Sequence, residues 1–256
     1  MRRRRLRRRM IASILSMAVV VGWIFVCEAQ QKKAYINGID PGYPPFAYVD
    51  KKGAPSGFDV ECVNWIAQQM GFEVKHQPTA WDGIIPALKA KKIDFIASGM
   101  TITKERSAQV DFTQSYWVVR VYVIAREDSK LDVNTAMSAG HSIGAQRGTN
   151  ENRWVEEKVK QGMKVNLKLY DTPFLVIEDL INGRLDAAVM GDPPIKEALK
   201  SKRPIKMIGP LGMDDQVWAY AVRKGDKELL DALNEGLTRL KKSEKWNELI
   251  VKFDIK

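Results

Sequence analysis

An internal near-repeat constrains the fold of this chain more than any other feature. The residues from Leu88 to Gly99 align with those from Leu180 to Gly191, at an offset of 92 positions. Both segments have the pattern of a helix end, a turn, an acidic residue, an apolar strand and a glycine. Short apolar runs alternate with helical patterns around each copy, which is typical of β-α units that build a largely parallel sheet. We therefore predict an α/β protein with two similar lobes.

The alternation of apolar runs and helical patterns predicts a series of elements on either side of the repeat. Within the predicted strand 93–98, residues 95–97 form a continuous apolar run, as expected when both faces of a sheet are covered. Segment 227–253 carries leucines at helical spacing, which predicts two helices packed against one lobe. The remaining predicted elements are strands at 35–39, 72–75, 118–125, 142–146, 164–170 and 187–190, and helices at 58–70, 83–90, 151–161 and 174–182.

Composition excludes several classes of protein. A hydrophobic fraction of 45% and a charged fraction of 28% allow a sizeable buried core. The net charge of +10 is concentrated in residues 1–29, and the body has no basic stripe interleaved with aromatic residues, so we expect no nucleic-acid partner. Cys27 and Cys62 are too few for a disulfide scaffold, and His76 and His141 match no metal-ligand spacing. We expect no metal and no cofactor.

The N-terminal residues have the layout of an export signal. Residues 1–9 are cationic, residues 10–26 are apolar, and small residues precede a possible cut after Ala29. We predict a cleaved signal peptide at 1–29 and a periplasmic or extracellular mature chain. An uncleaved N-terminal anchor is the alternative, because the apolar run is at the lower edge of spanning length. If residues 1–29 are cleaved, Cys62 is the single cysteine of the mature chain, and we expect it to be buried.

Several motifs, in order and with matching spacing, resemble one known family. They are Asp40-Pro-Gly-Tyr43-Pro-Pro-Phe46, Gly57-Phe58-Asp59-Val60, Trp81-Asp82-Gly83-Ile84, Lys92-Ile93-Asp94, Gly99-Met100-Thr101-Ile102-Thr103-Lys104-Glu105-Arg106, Val110-Asp111-Phe112-Thr113 and Gly148-Thr149. Across residues 34–256 the chain resembles the polar amino-acid family (family 3) of extracellular solute-binding proteins of ABC transporters.

The resemblance implies a type II periplasmic-binding-protein-like fold. Two α/β lobes would be joined by two crossover strands, near 118–125 and 212–219, with the ligand in the cleft between the lobes. Lobe 1 would comprise 34–121 and 215–256, and lobe 2 would comprise 122–214. The chain would act as a monomer that captures a free L-amino acid and delivers it to the membrane permease of an ABC importer.

Arg106 is the candidate clamp for the ligand's carboxylate. A protein that captures an amino acid must replace the water around a carboxylate and an ammonium. Arg106 follows strand 93–98, with Thr103 as a helix N-cap. Spacing alone also fits an exposed helix arginine; the resemblance favours a guanidinium that grips a carboxylate with two hydrogen bonds.

The resemblance places further binding residues around Arg106. The turn at Thr149 and Asn150 would approach the carboxylate from the second lobe. Asp192 would receive the ammonium, although an aspartate before Pro193 is also a common helix start. The other implied contacts are the aromatic walls Tyr43 and Trp81 and the polar groups Ser98, Gly99 and Thr101.

Asp40 bears on the choice of ligand. It ends the first predicted strand, three residues before Tyr43, so it should face the same cleft. An ionised carboxylate only accepts hydrogen bonds, and it therefore requires a ligand side chain that donates. We rank basic amino acids first, amides second, and acidic or apolar ones last. Asp40 capping its own turn is the alternative.

An enzyme on the same scaffold is the competing function. Cyclohexadienyl or arogenate dehydratases resemble this family, and they need an acid or base placed at the ligand. The predicted cleft residues are all accounted for as binding groups, so we expect a binding protein and not an enzyme. A Gly-x-Ser-x-Gly match at 140–144 is accidental, because a strand is predicted to begin at Ser142 and not to end there.

Overall fold

Two β-sheets carry the fold in the computed structural model, which describes residues 32–255. The predicted signal peptide at 1–29 lies outside these residues. The described strands, numbered in chain order, are β1 (Ala34–Ile39), β2 (Gly42–Tyr43), β3 (Ala47–Val49), β4 (Pro55–Ser56), β5 (Glu73–Pro78), β6 (Phe95–Thr101), β7 (Val110–Phe112), β8 (Trp117–Val119), β9 (Val121–Arg126), β10 (Ser142–Gln146), β11 (Asn166–Tyr170), β12 (Ala187–Gly191), β13 (Ile205–Pro210) and β14 (Gln216–Arg223).

Helices connect the strands, and a 3₁₀ turn at Trp81–Gly83 precedes one of them. The longest helix within residues 32–255 follows the last strand, as the leucine spacing predicts. The described helices are α1 (Phe58–Met70), α2 (Ile84–Lys89), α3 (Lys104–Ser107), α4 (Val133–Ala136), α5 (Asn150–Lys160), α6 (Pro173–Ile181), α7 (Asp192–Lys200), α8 (Lys227–Lys242) and α9 (Glu244–Lys252).

The two large sheets share one design. The first has the order β5-β1-β6-β14-β7, with β8 also paired to β14, and the second has the order β11-β10-β12-β9-β13. In each, three adjacent strands are parallel: β5, β1 and β6 in the first, and β11, β10 and β12 in the second. Strands β14 and β9 then join antiparallel, so the sheets are mixed and less parallel than the sequence predicts. Strands β2, β3 and β4 form a small separate sheet.

The predicted single strand at 118–125 is wrong in one respect. The chain breaks at Arg120 into β8, which pairs with β14 in the first sheet, and β9, which pairs with β12 and β13 in the second. The chain therefore passes from one sheet to the other at this residue, and it returns between β13 and β14. We call the first sheet with its packed helices the first lobe, and the second sheet with its helices the second lobe.

The near-repeat appears in the structure as the same contact in each sheet. Asp94 Oδ2 accepts a hydrogen bond from the N–H of Ile36 at 2.8 Å, and Asp186 Oδ2 accepts one from the N–H of Ser142 at 2.8 Å. In return, the Asp94 N–H donates to the Ile36 carbonyl and the Asp186 N–H to the Ser142 carbonyl. Each aspartate thus joins the start of an inner strand to its parallel neighbour.

Helices cover both faces of each sheet. In the first lobe, α1, α8 and α9 pack on one face and α2 packs on the other. In the second lobe, α6 and α7 cover one face and α4 and α5 the other. Cys62 is fully buried within the first lobe, as predicted. Within residues 32–255, no helix is both long and apolar enough to span a membrane.

Candidate functional site

A cavity of about 400 Å³ lies where the two lobes meet. The parallel strands β1, β6, β10 and β12 all end at or beside it, which is where ligands bind in open α/β sheets. Nine of the ten predicted site residues line it: Asp40, Tyr43, Trp81, Ser98, Gly99, Thr101, Arg106, Thr149 and Asn150. Residues that also line the cavity but were not predicted are Val119, Val121, Gln146, Glu151, Gly191, Gln216 and Trp218.

Arg106 is a buried cation with spare hydrogen-bonding capacity. Its side chain begins in α3, where Thr103 caps the helix by accepting the Arg106 N–H. The residue is only 3% exposed, and its guanidinium donates to the carbonyls of Thr101 at 3.1 Å and Gly148 at 3.3 Å. Nε is buried without a hydrogen-bond partner in the described part of the chain. Burial lowers the pKa of Arg106 to about 10, so the group is still charged at neutral pH.

Trp81 supports the guanidinium from one side. The Arg106 Cζ lies 5.4 Å from the centroid of the Trp81 ring, which is within the range of a cation–π contact. Tyr43 lines another wall and meets Trp218 edge-on, with 5.7 Å between ring centroids. Trp81 therefore holds the arginine in place as well as walling the cavity, a contact that sequence reasoning did not anticipate.

Asp40 is buried in the cavity wall and bridges the lobes. It is 2% exposed, its Oδ1 accepts the Gly42 N–H at 2.9 Å, and its Oδ2 accepts a Gln146 Nε2 hydrogen bond at 2.6 Å. The turn-capping role and the cavity-facing position are thus both present. Burial raises the pKa of Asp40 to about 6. Ser98 positions the backbone of Asp40, because the Ser98 hydroxyl accepts the Asp40 N–H.

Glu151 is a second buried acid in the cavity, and the sequence prediction missed it. It lies in the first turn of α5 and is 8% exposed. Burial raises its pKa, and the nearby positive charge of Arg106 acts in the opposite direction. An acid in the first turn of a helix ordinarily reflects the helix dipole, so nothing in the pattern distinguished it. Gln146 could have been found, because it ends β10 as Thr101 ends β6.

The turn before α5 is shaped by Gly148 and Thr149. Gly148 has a φ of +76°, and a Cβ there would lie 3.1 Å from the backbone of Asp82 in the other lobe. Its N–H donates to Asn152 Oδ1, so it is committed within the turn. Thr149 caps α5 by accepting the Asn152 N–H. Asn150 instead reaches across the cleft and donates to Gln216 Oε1 at 2.9 Å.

Asp192, the tenth predicted residue, does not line this cavity. It is the first residue of α7, with Gly191 in the N-cap position. Its Oδ1 accepts the Arg120 N–H at 3.2 Å, and its Oδ2 pairs with Lys196 at 2.6 Å. Gly191 lines the cavity in its place, and a Cβ on Gly191 would lie 2.7 Å from the Tyr43 hydroxyl.

A buried acid beneath the cavity supports Gly99. Asp59, fully buried in α1, accepts the Gly99 N–H at 2.9 Å and the Tyr116 hydroxyl at 2.9 Å through Oδ2. Burial raises the pKa of Asp59 to about 7. Gly99 takes a φ of +61° and packs against the Trp218 ring, where a Cβ would lie 3.0 Å away. Asp59 therefore fixes the backbone that forms one wall of the site.

This architecture defines a two-lobed α/β binding protein with a cavity between the lobes. The chain passes between the two sheets twice, once at Arg120 and once between β13 and β14. Residues 35–254 match the profile of bacterial extracellular solute-binding proteins, family 3, and the chain belongs to that family.

Individual relatives of known name are similar over most of the chain. The L-arginine-binding protein of Pseudomonas aeruginosa is 32% identical over 84% of this chain and 86% of its own length. The L-cystine-binding protein of Escherichia coli (strain K12) is 28% identical over 86% of this chain and 84% of its own. The crystal structure of a mutant of ArgBP from T. maritima superposes on this chain with a TM-score of 0.80 at 30% identity. The match covers 90% of this chain and 98% of that one.

Proposed function

We propose that this chain captures a free L-amino acid, a basic one in preference to an amide, and delivers it to the permease of an ABC importer. The observation that carries the proposal is the charge pattern of the cavity. Among the described residues that line it, Arg106 is the one cation, and Asp40 and Glu151 are the two acids. All three are at least nine-tenths buried, so a ligand group of opposite charge would stabilise each of them.

A basic amino acid would satisfy all three groups. Its carboxylate pairs with Arg106, and its ammonium and its cationic side chain meet the two acids. An amide side chain also donates hydrogen bonds, but it leaves one negative charge unbalanced. An acidic ligand would be repelled, and an apolar one would leave Asp40 desolvated without a ligand donor. The relatives named above bind arginine and cystine, so ligand choice depends on the cavity of each protein.

The remaining parts of the proposal concern organisation and location. We propose that lobe 1 comprises 34–121 and 215–256, that lobe 2 comprises 122–214, and that the protein acts as a monomer. The switch between sheets at Arg120 supports the first boundary. The family is extracellular by its description, which supports export through the segment 1–29 and a periplasmic or extracellular location.

Calorimetry with the purified protein tests the ligand class. L-arginine, L-lysine, L-histidine, L-glutamine, L-cystine, L-glutamate and L-leucine would be titrated separately at pH 7.5. We expect the tightest binding from arginine or lysine, weaker binding from glutamine, and none from glutamate or leucine. Glutamate or leucine binding more tightly than all the basic amino acids and glutamine would refute the proposal.

The dehydratase-like alternative retains one supporting observation. Burial raises the pKa of Asp40 to about 6, which is the direction that a general acid in the cavity requires. Incubation with prephenate and with arogenate separates the two functions. We expect no turnover of either compound, and turnover of either would replace the binding-only function with an enzymatic one.

A further inference from the structure

We infer that Glu151, and not Asp192, is the carboxylate that receives the ligand's α-ammonium. The inference deepens the proposed function and rests on it. It assigns each of the three charged cavity residues to one charged group of the ligand.

Asp192 is already committed away from the cavity. Both of its oxygens have partners in the second lobe or at the crossover: the Arg120 N–H at 3.2 Å and the Lys196 ammonium at 2.6 Å. Its side chain faces a separate groove, which Pro193 and Lys196 also line. To reach the cavity, the carboxylate would have to leave both partners and pass the backbone of Gly191, which occupies the wall at that point.

Glu151 has the position and the capacity that Asp192 lacks. It lines the cavity and is 8% exposed. An ionised carboxylate offers about four lone-pair sites. The hydroxyl of Thr149, which caps the same helix, donates to the Gln146 carbonyl at 2.8 Å and so does not occupy them. Lone pairs of the Glu151 carboxylate therefore remain to accept an ammonium.

The relation between Glu151 and Arg106 also fits an amino acid. Their opposite charges are close enough to favour each other's ionised form. The guanidinium nevertheless donates to the carbonyls of Thr101 and Gly148. The α-carboxylate and α-ammonium of an amino acid are attached to the same carbon. A ligand seated between Arg106 and Glu151 would therefore pair with both at once.

Asp40 is then left for the ligand's side chain. It belongs to the first lobe and Glu151 to the second, so the two cationic groups of a basic amino acid would be held from opposite lobes. This arrangement separates recognition of the amino-acid backbone from recognition of the side chain.

A comparison of two ligands on three proteins tests the assignment. The ligands are L-arginine and 5-guanidinopentanoic acid, which lacks only the α-ammonium. The proteins are the wild type, Glu151→Gln and Asp192→Asn, and the readout is the ratio of the two dissociation constants by calorimetry. Because the ratio is taken within one protein, a variant that is partly unfolded still reports it.

We expect arginine to bind the wild type more tightly than the analogue by about tenfold to a hundredfold, the range for a hydrogen-bonded charge. Glu151→Gln should reduce this ratio to within about threefold of unity, whereas Asp192→Asn should keep it. The inference is overturned if Asp192→Asn removes the ratio and Glu151→Gln keeps it. It is also overturned if Glu151→Gln weakens both ligands equally, because that result indicates a structural role.

The same binding measurements give a different result if the proposed function is wrong. If the wild type binds glutamine but not arginine, the basic preference is wrong, and L-glutamine with its des-amino analogue glutaramic acid decides the role of Glu151 in the same way. A wild type that binds neither amino acid overturns both the proposed function and the assignment of Glu151.

Discussion

At the scale of single residues, the cavity carries charged groups whose hydrogen-bond partners in the protein are uncharged. Arg106 is held by carbonyl oxygens and the Trp81 ring, and none of these carries a negative charge. Asp40 is held by amide donors from Gly42 and Gln146. Such groups are positioned by the fold while their charges are left for a ligand to balance, which is how a binding site is made specific.

Replacing Arg106 tests the carboxylate clamp. Arg106→Ala should leave the fold intact and abolish most of the affinity, because breaking a buried charge pair costs roughly 3–5 kcal/mol, or about a hundredfold to several thousandfold. Calorimetry with L-arginine measures the loss. Arg239→Ala, on the exposed face of α8, is the matched control and should bind normally. Affinity within threefold of wild type for Arg106→Ala would show that the clamp lies elsewhere.

The pKa of Asp40 predicts a pH dependence of binding. Burial raises this pKa to about 6, so the carboxylate is ionised above that pH and protonated below it. A cationic side chain binds the ionised form, and affinity for arginine should therefore be retained above pH 6 and fall below it, by at most about tenfold per pH unit for one proton. Titrations at pH 7.5, 6 and 5 measure this.

The Asp40→Asn variant is the comparison for that experiment. Its arginine affinity should be lower at pH 7.5 and less sensitive to pH. Some sensitivity should persist, since burial also raises the pKa of Glu151 in the same cavity. An arginine affinity that is constant from pH 7.5 to 5 in the wild type would contradict the role given to Asp40.

At the scale of helices and strands, α1 supports the site from beneath through Asp59. The fully buried carboxylate accepts the Gly99 N–H, and thereby ties the helix to the strand that leads to Thr101 and Arg106. Because Asp59 carries a pKa of about 7 against an ordinary 3.8, the folded protein holds a proton there that the unfolded chain releases. The link between α1 and β6 is therefore sensitive to pH.

This difference predicts how stability changes with pH. Between about pH 4 and pH 7 the native state binds the extra proton, so the contribution of Asp59 makes the free energy of unfolding decrease as pH rises through that range and level off above it. Urea unfolding at pH 5 and pH 7.5 measures the slope. Asp59→Asn should reduce the slope. What remains combines Asp40 and Glu151, whose pKa values burial raises, with His76, whose pKa burial lowers to about 4 and whose contribution has the opposite sign. An unchanged slope in Asp59→Asn would place the titrating group elsewhere.

Much of the secondary structure could be predicted, for reasons visible at particular residues. Helix α1 begins and ends as predicted because glycines flank it, and Gly71 adopts the left-handed conformation that ends a helix. The break at Arg120 could not be predicted, because residues on both sides are equally suited to strands. Only tertiary pairing with two different sheets separates β8 from β9.

The cavity residues show which parts of the site the sequence pattern could not predict. Ends of strands are uncertain by a residue or more from sequence, and neighbouring residues point in different directions. That single-residue difference separates Gly191, which lines the cavity, from Asp192, which pairs with Lys196. Glu151 was missed because an acid is ordinary in the first turn of a helix, whereas Gln146 ends β10 as Thr101 ends β6 and could have been found.

At the scale of the whole molecule, the lobes are closed on each other. Contacts cross the cleft at several points: Arg106 with Gly148, Asp40 with Gln146, Asn150 with Gln216, and Glu105 with Arg153. A ligand that touches both lobes stabilises this closed state through contacts that the open state lacks. We expect a smaller radius of gyration by solution scattering when arginine is added. An unchanged radius of gyration at saturating arginine would count against hinge closure, unless the free protein already has the compact dimensions of the closed state.

Gly191 offers a direct test of closure. A Cβ at this position would lie 2.7 Å from the hydroxyl of Tyr43, which belongs to the opposite lobe. Gly191→Ala should therefore disfavour the closed state alone, by about 1–3 kcal/mol of overpacking, or roughly fivefold to a hundredfold in affinity. The midpoint of unfolding without ligand should change little. Gly83→Ala, where φ is −96° and an added Cβ meets open space, controls for glycine replacement without a clash.

The contacts between the lobes also bear on how long a captured molecule stays. Where side chains of both lobes meet across the cleft, a molecule held by both lobes is released more readily once these contacts separate. Its residence time is then governed by how fast the lobes part, and not by its own bonds to Arg106 or Asp40 alone. Weakening an exposed contact between the lobes, such as the ion pair of Glu105 and Arg153, would shorten that time without altering any group that touches the ligand.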